Sequence, residues 1–256
     1  MKGLLIDLDG VLYVQEQIIP GAMEALHFIN EKQIPHRFVT NTTSVNRTQL
    51  AARLKQAGFA IPMEHLFTAP LSTAAYLHSL ENPRCFFFAS SNLKRDFAGI
   101  QLVDDNPTHV VIGDMGDGFS YANMNMVFRM VRNGAELVAF QKNRYWLTQE
   151  GVILDAGSFI AAIEYATGKT ARVFGKPSRE FFLHACRSMK LEANDAIMIG
   201  DDYQVDILGA HQAGLETVFV RTGKDREKVL DEVETQPSHV LSSIAGLPEL
   251  LDTLLH

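Results

Sequence analysis

The stretch LLIDLDGVLY, residues 4–13, places two aspartates at the end of an apolar run. Residues 3–7 (GLLID) have the continuous apolar character of a buried β-strand. If the extended conformation persists through Leu8, Asp7 and Asp9 point to the same face, and Gly10 suits a sharp exit from the strand. Aspartates also favour turns, so this stretch alone leaves a turn and a functional site open.

Short apolar strands alternate with amphipathic helices in both the first and the last part of the chain. Strands are predicted at 3–7, 36–40, 171–175, 196–200 and 216–220, and helices at about 20–32, 47–56, 177–189 and 206–213. This alternation indicates an α/β fold with a doubly wound, Rossmann-like parallel sheet. The middle of the chain has its own strands and helices. We therefore predict a discontinuous core domain, 1–78 and 172–256, with an inserted α/β cap domain at 79–171.

Polar residues follow four of these predicted strands, at the end where each strand stops. They are Asp7 with Asp9, Thr40 with Asn41, Lys176, and Asp201. Because the carboxyl ends of parallel strands meet at one edge of a sheet, these side chains are expected in one cavity. Carboxylates and carbonyl oxygens suit Mg²⁺, and a threonine and a lysine can bind phosphate oxygens. A metal-held aspartate can attack phosphorus, and a second carboxylate can exchange protons with the leaving group and water.

Four motifs together resemble the haloacid dehalogenase superfamily of hydrolases. DLDGVLY resembles its first motif, TN its second, GKPS its third and GDDYQVD its fourth. The insert between the second and third motifs is similar to the large α/β cap of subfamily IIA. That branch includes the NagD-type phosphatases and the phospholysine phosphohistidine inorganic pyrophosphate phosphatases. The resemblance covers nearly the whole chain and implies a phosphatase that hydrolyses a small phosphorylated substrate through an aspartyl-phosphate.

The resemblance also implies roles for the acidic residues. Asp7 is expected to be the nucleophile and a metal ligand. Asp9 is expected to be the general acid and base and to give the metal its backbone carbonyl. Asp201 is expected to complete the Mg²⁺ site, with Asp202 or Asp206 acting from behind these ligands. Asp206 begins a predicted helix, where an acidic residue is favoured on structural grounds as well.

The same resemblance assigns the phosphate-binding residues. Thr40 and the backbone of Asn41 and Thr42 are expected to hold the phosphoryl group. Lys176 is expected to neutralise that group and to orient the nucleophile. Taken alone, Thr40 and Asn41 read equally well as a helix cap, and Lys176 as a solvated lysine.

Other classes of protein remain open at this point. A phosphorelay receiver combines carboxylates, threonine, lysine and Mg²⁺ on a doubly wound sheet, but its phospho-acceptor follows the third strand and it needs no large insert. A phospho-ligand binding module without turnover is a second alternative. A phosphomutase is a third, although those enzymes usually carry an all-helical cap. The charged stretch 224–234 is interpreted as the solvated face of a helix.

Composition bears on the partners and the cellular compartment that we expect for the protein. The chain has 256 residues and a formal net charge of -7, which argues against a nucleic-acid partner. No apolar run approaches the length needed to span a bilayer, so no membrane association is expected. Two cysteines outside any metal-binding spacing suggest free thiols in the cytoplasm. A homodimer through the cap domain is a further expectation.

Overall fold

The structure is a computed structural model that describes residues 2–15, 17–148, 151–230 and 233–254. Its strands in chain order are β1 (Gly3–Asp7), β2 (Tyr13–Val14), β3 (Gln17–Ile18), β4 (His36–Thr40), β5 (Leu66–Thr68), β6 (Arg84–Phe88), β7 (Gln101–Leu102), β8 (His109–Ile112), β9 (Glu136–Ala139), β10 (Tyr145–Thr148), β11 (Gly151–Leu154), β12 (Arg172–Val173), β13 (Ala196–Gly200), β14 (Glu216–Val220) and β15 (His239–Leu241). Its α-helices are α1 (Ala22–Glu31), α2 (Arg47–Gln56), α3 (Ala69–His78), α4 (Tyr121–Arg132), α5 (Ala156–Thr167), α6 (Arg179–Ser188), α7 (Gly209–Ala213) and α8 (Leu247–Leu254). Contacts divide the chain into two compact units: Met1–Thr40, Thr48–Phe67 and Lys176–His256 form the first, and Asn41–Arg47 and Thr68–Gly175 form the second.

The first unit is built on a six-stranded sheet with the order β15-β14-β13-β1-β4-β5. The pairings from β15 through β4 are parallel. Every residue of β1 and of β13 is buried, which explains why both strands read as continuous apolar runs rather than alternating ones. From β1 the chain continues to β4 and β5 on one side of the sheet, and later to β13, β14 and β15 on the other side. In open α/β sheets, ligand crevices form at the carboxyl ends of the strands where the strand order changes direction in this way.

The second unit is built on a five-stranded parallel sheet with the order β12-β9-β8-β6-β7. Two apolar clusters sandwich it. One contains Phe97 and Phe140 with residues of α3, and the other contains Val127 and Ile160 from α4 and α5. A separate antiparallel hairpin pairs β10 with β11. Each unit therefore has its own core, and the predicted α/β class with parallel sheets is confirmed.

The short segment 41–47 is tied by hydrogen bonds to other residues of the second unit. The side-chain amide of Asn46 donates to the carbonyl oxygen of Asn92 at 3.0 Å. The amide of Asn92 donates to the carbonyl oxygen of Ser44 at 3.1 Å, and the backbone N–H of Arg47 donates to Asp96 at 3.4 Å. This segment directly follows Thr40, the last residue of β4.

One predicted strand was wrong in its placement. The stretch 171–175 was expected to extend the core sheet, but only Arg172–Val173 is extended, and it pairs with β9 of the second unit. The backbone N–H of Phe174 still donates to the carbonyl oxygen of Ala139 at 3.0 Å, so the run stays beside β9 up to that residue. Lys176 is consequently the first residue of the closing section of the first unit rather than the end of one of its strands.

Two helix predictions also differ from the structure. The helix expected at 206–213 is a π-helical segment, Tyr203–Leu208, continued by α7. The helix expected at 224–234 is not an α-helix in the described residues of that stretch: 224–227 form turns, and 228 and 229 have no regular structure. Within the described part of the chain, no helix is both long and apolar enough to cross a membrane.

Candidate active site

The two central strands of the six-stranded sheet bring Asp7 and Asp201 to the same edge. β1 ends at Asp7, and β13 ends at Gly200, one residue before Asp201. The strands are parallel and paired with Ile6 opposite Ile199, so their carboxyl ends lie side by side. Both aspartates are buried, at 9% and 5% exposure. The convergence expected from the sequence therefore holds for these two residues.

Asp206 joins the pair from the π-helical segment. It is completely buried, and one oxygen each of Asp7, Asp201 and Asp206 lies within 4.8 Å of the others. There is no space for a side chain at Gly200, because a Cβ there would collide with the Asp206 carboxyl group. The glycine that ends β13 thus allows the third carboxylate to approach.

Lys176 neutralises part of this charge. Its ammonium donates a hydrogen bond to Oδ1 of Asp7 at 2.7 Å and forms an ion pair with Oδ1 of Asp206, also at 2.7 Å. The lysine is only 3% exposed. A buried ammonium at this distance from two carboxylates rules out the interpretation of Lys176 as a solvated surface lysine.

Burial raises the pKa of each clustered carboxyl group. Burial is the main cause for Asp7, whose pKa is raised although Lys176 lowers it. Burial followed by repulsion from Asp7 raises the pKa of Asp201 to about 8. Burial likewise raises the pKa of Asp206 to about 7, against the opposing effect of Lys176. Burial lowers the pKa of Lys176, but Asp206 and Asp7 outweigh it, so the net shift is upward.

This donor set fits a divalent cation. Three ionised carboxylates and one ammonium leave two uncompensated negative charges in a buried space. Carboxylate oxygens are the ligands that hard cations such as Mg²⁺ prefer. Burial is the main cause of the raised pKa values of Asp201 and Asp206, and repulsion from Asp7 adds to it in both.

Asp9 lies outside the acidic cluster. The extended conformation ends at Asp7 instead of persisting through Leu8, so Leu8 is buried while Asp9 is exposed. Partial desolvation of the Asp9 carboxyl group raises its pKa, and a backbone hydrogen bond from Gly10 opposes the shift. A more basic carboxyl group beside Asp7 suits proton exchange better than metal ligation by its side chain.

The second predicted motif follows β4, the neighbour of β1 in the sheet. Thr40 ends this strand and is 7% exposed, and Val39 pairs with Asp7. Asn41 and Thr42 are half-buried and belong to the second compact unit. Thr40 is therefore placed at the same sheet edge as Asp7, as the sequence indicated.

Asp202 caps the π-helical segment that carries Asp206. Its Oδ1 accepts hydrogen bonds from the backbone N–H groups of Gln204 and Val205 at 3.1 and 3.0 Å. Its other oxygen accepts a hydrogen bond from the ammonium of Lys224 at 2.5 Å. The two aspartates left ambiguous by the sequence thus differ, because Asp202 holds the segment and Asp206 faces the lysine.

Sequence reasoning missed the residues that follow β14. The backbone N–H of Lys224 donates to Oδ2 of Asp201 at 2.6 Å, and the hydroxyl of Thr222 donates to the carbonyl oxygen of Gly10 at 2.5 Å. A signal was present, since β14 was predicted and its carboxyl end lies at the same edge as the others. Lys224 was interpreted instead as part of the solvated helix face at 224–234, and Thr222 was not singled out.

Comparisons with known proteins agree with this fold and site. The family described as "Haloacid dehalogenase-like hydrolase" matches residues 4–102, and a second family described as HAD-hydrolase-like matches residues 173–247. The chain is 37% identical over 255 residues to haloacid dehalogenase-like hydrolase domain-containing protein 2 of Bos taurus, covering 100% of this chain and 96% of that protein. It is 35% identical over 257 residues to the phospholysine phosphohistidine inorganic pyrophosphate phosphatase of Bos taurus, covering 98% of this chain and 94% of that protein. The solved structure of p-nitrophenyl phosphatase from Archaeoglobus fulgidus has a TM-score of 0.90 at 27% identity, covering 98% of this chain and 99% of that chain.

These likenesses extend over the complete fold rather than over one motif. The chain therefore belongs to the haloacid dehalogenase-like hydrolases. Within that family it is a phosphohydrolase of subfamily IIA.

Proposed function

We propose that the protein is a Mg²⁺-dependent phosphatase that hydrolyses a small phosphorylated substrate through an aspartyl-phosphate on Asp7. The observation that carries this proposal is the contact of the Lys176 ammonium with Asp7 and Asp206, beside the carboxylate of Asp201. An acidic cluster that still lacks positive charge can accept a cation together with the phosphoryl group that the cation binds.

Asp7, Asp201 and the backbone carbonyl of Asp9 are the proposed metal ligands, with Asp206 behind them. Mg²⁺ bound there supplies charge neutralisation at the phosphoryl oxygens. Lys176 opposes the rise in the pKa of Asp7 that burial causes, and it supplies a second positive charge. Thr40, with the backbone of Asn41 and Thr42, is proposed to hold the remaining phosphoryl oxygens, as in the motif that these residues match.

The proposed reaction has two steps, each of which uses Asp7 and Asp9. In the first, a carboxylate oxygen of Asp7 forms a bond to phosphorus while the bond to the leaving oxygen breaks, and Asp9 gives that oxygen its proton. In the second, Asp9 takes a proton from a water molecule, which attacks phosphorus. Orthophosphate leaves and the Asp7 carboxylate is restored.

The names of two similar proteins support the proposed substrate class. One of them is named for phospholysine, phosphohistidine and inorganic pyrophosphate, and a matching structure is named for p-nitrophenyl phosphate. We propose that residues 1–78 and 172–256 carry the chemistry and that the cap, 79–171, selects among such compounds. A panel of phosphorylated small molecules, assayed with and without Mg²⁺, is the direct measurement of that preference.

We also propose a homodimer through the cap. The β10–β11 hairpin exposes apolar side chains, among them Tyr145, Val152 and Leu154 at 59%, 65% and 64% exposure. Apolar side chains exposed together on one hairpin are typical of a surface that a partner covers.

A reducing compartment, the cytoplasm, is the proposed location. Cys85 and Cys186 are both free and buried. Burial raises the pKa of Cys85 to about 11 and that of Cys186 to about 12, so both thiols stay protonated near neutral pH. Such thiols are typical of proteins kept reduced.

The Asp7→Asn variant tests the proposed chemistry. An amide cannot replace the carboxylate as a nucleophile, so release of phosphate from p-nitrophenyl phosphate should fall to below a few per cent while the circular dichroism spectrum stays unchanged. In wild type, removal of Mg²⁺ by a chelator should abolish turnover reversibly. Substantial activity in Asp7→Asn would refute the assignment, and a long-lived aspartyl-phosphate without turnover would favour a receiver.

A further inference from the structure

A short segment after β14, Thr222–Asp225, contacts both turns that carry the acidic site. We call it the β14 loop. The Thr222 hydroxyl donates to the carbonyl oxygen of Gly10 in the turn that follows Asp7. The Lys224 backbone N–H donates to Oδ2 of Asp201 at 2.6 Å. Asp225 accepts a hydrogen bond from the backbone N–H of Tyr203 at 2.8 Å, at the start of the π-helical segment.

Close packing at Gly223 makes this arrangement tight. A Cβ at Gly223 would collide with Oδ2 of Asp201 and would come within 2.7 Å of Cα of Gly10. A Cβ at Gly10 would likewise collide with the Asp201 carboxyl group, and Gly10 has a φ of +83° that disfavours other residues. The Asp201 carboxylate therefore lies between two glycines.

We infer that the β14 loop is a positioning element that fixes the rotation of the Asp201 carboxylate and its distance from the turn after Asp7, and so sets the affinity of the site for Mg²⁺. The inference rests on the proposed function, because it concerns the same site. It adds residues that none of the four sequence motifs contains.

The β14 loop acts on the proposed metal site by holding one of its ligands, Asp201. Asp201 has no other hydrogen-bond donor among the described contacts of its side chain, so the Lys224 N–H determines which of its oxygens faces the loop. An oriented carboxylate loses less rotational freedom when it binds a cation. The hydrogen bond from Thr222 holds the Gly10 carbonyl at the opposite turn, which keeps the two ligand-bearing turns at a constant separation.

Two substitutions test the inference through the affinity for Mg²⁺, measured by isothermal titration calorimetry and by thermal shift without substrate. Thr222→Val removes the hydroxyl that reaches Gly10, and Thr222→Ser keeps it. Gly223→Ala places a methyl group against Asp201. Substitutions behind metal ligands typically weaken affinity by about 10–100-fold. We expect losses of about tenfold for Thr222→Val and for Gly223→Ala, with Thr222→Ser within about twofold of wild type.

Matched controls separate positioning from general destabilisation. Thr253→Val removes a hydroxyl that donates to the Glu249 carbonyl oxygen of its own helix, at an exposed site. Gly246→Ala adds a methyl group beside the flexible Leu241 side chain. Both should keep wild-type affinity for Mg²⁺, and all variants should show their metal-free melting transition before titration. Should Thr222→Val not fold, Gly223→Ala decides the question.

The outcomes are distinguishable from those of the proposed function. Wild-type Mg²⁺ affinity in both Thr222→Val and Gly223→Ala would overturn the inference, even if the protein is an active phosphatase. A loss of affinity in both variants, with rescue in Thr222→Ser, would support it even if p-nitrophenyl phosphate is not hydrolysed. In an active wild type, we further expect the Mg²⁺ concentration at half-maximal rate to rise while the KM for substrate at saturating Mg²⁺ stays near its wild-type value.

Discussion

At the scale of single residues, Lys176 is buried and forms ion pairs with two aspartates. Its ammonium is almost inaccessible to water and is held between Asp7 and Asp206, each at 2.7 Å. Removing two charges from water costs several kcal/mol per ion, and close contact repays this cost only in part. An arrangement of this kind adds little to net stability, but the loss of one member leaves the others unpaired. Substitution of any one of these three residues is therefore expected to destabilise the site, because a buried charge is left without its partner.

Replacing Lys176 by Met should destabilise the metal-free protein. Removal of one partner of a buried ion pair typically costs about 3–5 kcal/mol, because Asp7 and Asp206 then face each other without compensation. The measurement is urea unfolding at pH 8. The control is Lys32→Met, which removes an exposed pair with Asp252 at 3.4 Å and should cost less than about 1 kcal/mol. Equal losses in the two variants would contradict the prediction.

A second residue-scale prediction concerns pH. The folded protein has pKa values of about 8 for Asp201 and about 7 for Asp206, both above the value of 3.8 for an unperturbed aspartate. Between pH 4 and pH 8 the unfolded chain therefore releases these protons first, and the metal-free fold loses stability as the pH rises. Because a bound cation requires ionised ligands, the gain in Tm from Mg²⁺ should be larger at pH 8 than at pH 6. Differential scanning fluorimetry measures both gains, and a pH-independent gain would exclude this linkage.

At the scale of elements, the π-helical segment Tyr203–Leu208 determines which aspartate enters the site. Asp202 precedes the segment and caps it, and Asp206 lies inside it with no exposed surface. π-Helical turns are rare and concentrate at functional sites. An ordinary α-helical start, as the sequence suggested, would rotate these side chains differently.

Asp202→Ala should destabilise this element by about 1 kcal/mol, because the N–H groups of Gln204 and Val205 lose their acceptor. Asp202→Asn keeps a capping oxygen and should stay close to wild type. The ion pair of Asp202 with Lys224 contributes little to the free energy of unfolding, since that lysine side chain is 68% exposed and water screens the pair. Denaturant unfolding of the two variants tests the ranking. An Asn variant as unstable as the Ala variant would contradict capping as the cause.

The elements also explain how far the sequence could predict the site. Asp7, Thr40 and Asp201 were predictable because each lies at the end of a buried strand of one parallel sheet. Lys176 lies next to Asp7 as expected, but the reason given for that position was wrong, since the strand before it pairs with β9 of the other sheet. The β14 loop was missed although the same rule applied to it. Its contacts come from backbone N–H groups and glycines, whose positions a residue pattern does not specify.

At the scale of the whole molecule, the exposed β10–β11 hairpin is the surface through which we propose that two copies of the chain form a dimer. Val152 and Leu154 lie two residues apart on one strand and therefore share a face, and Leu154 pairs with Tyr145. Val152→Lys combined with Leu154→Lys should convert a dimer into a monomer, because both charges would be buried in the proposed contact. Light scattering after size exclusion measures the mass. Val240→Lys, at an exposed valine of β15, is the control and should not change it. A monomeric wild type would refute the dimer.

The hydrogen bonds of the segment 41–47 limit which parts of the chain can be exchanged with a homologue. Asn46 and Ser44 are bonded to Asn92, so a stretch that is read early in the chain belongs structurally with one read much later. A chimera that exchanges only one continuous block between two homologues would pair a native segment with a foreign neighbour at these contacts. Each contact joins a side-chain amide to a backbone carbonyl oxygen, so a recombined chain keeps both contacts only where the blocks it inherits retain Asn46 and Asn92.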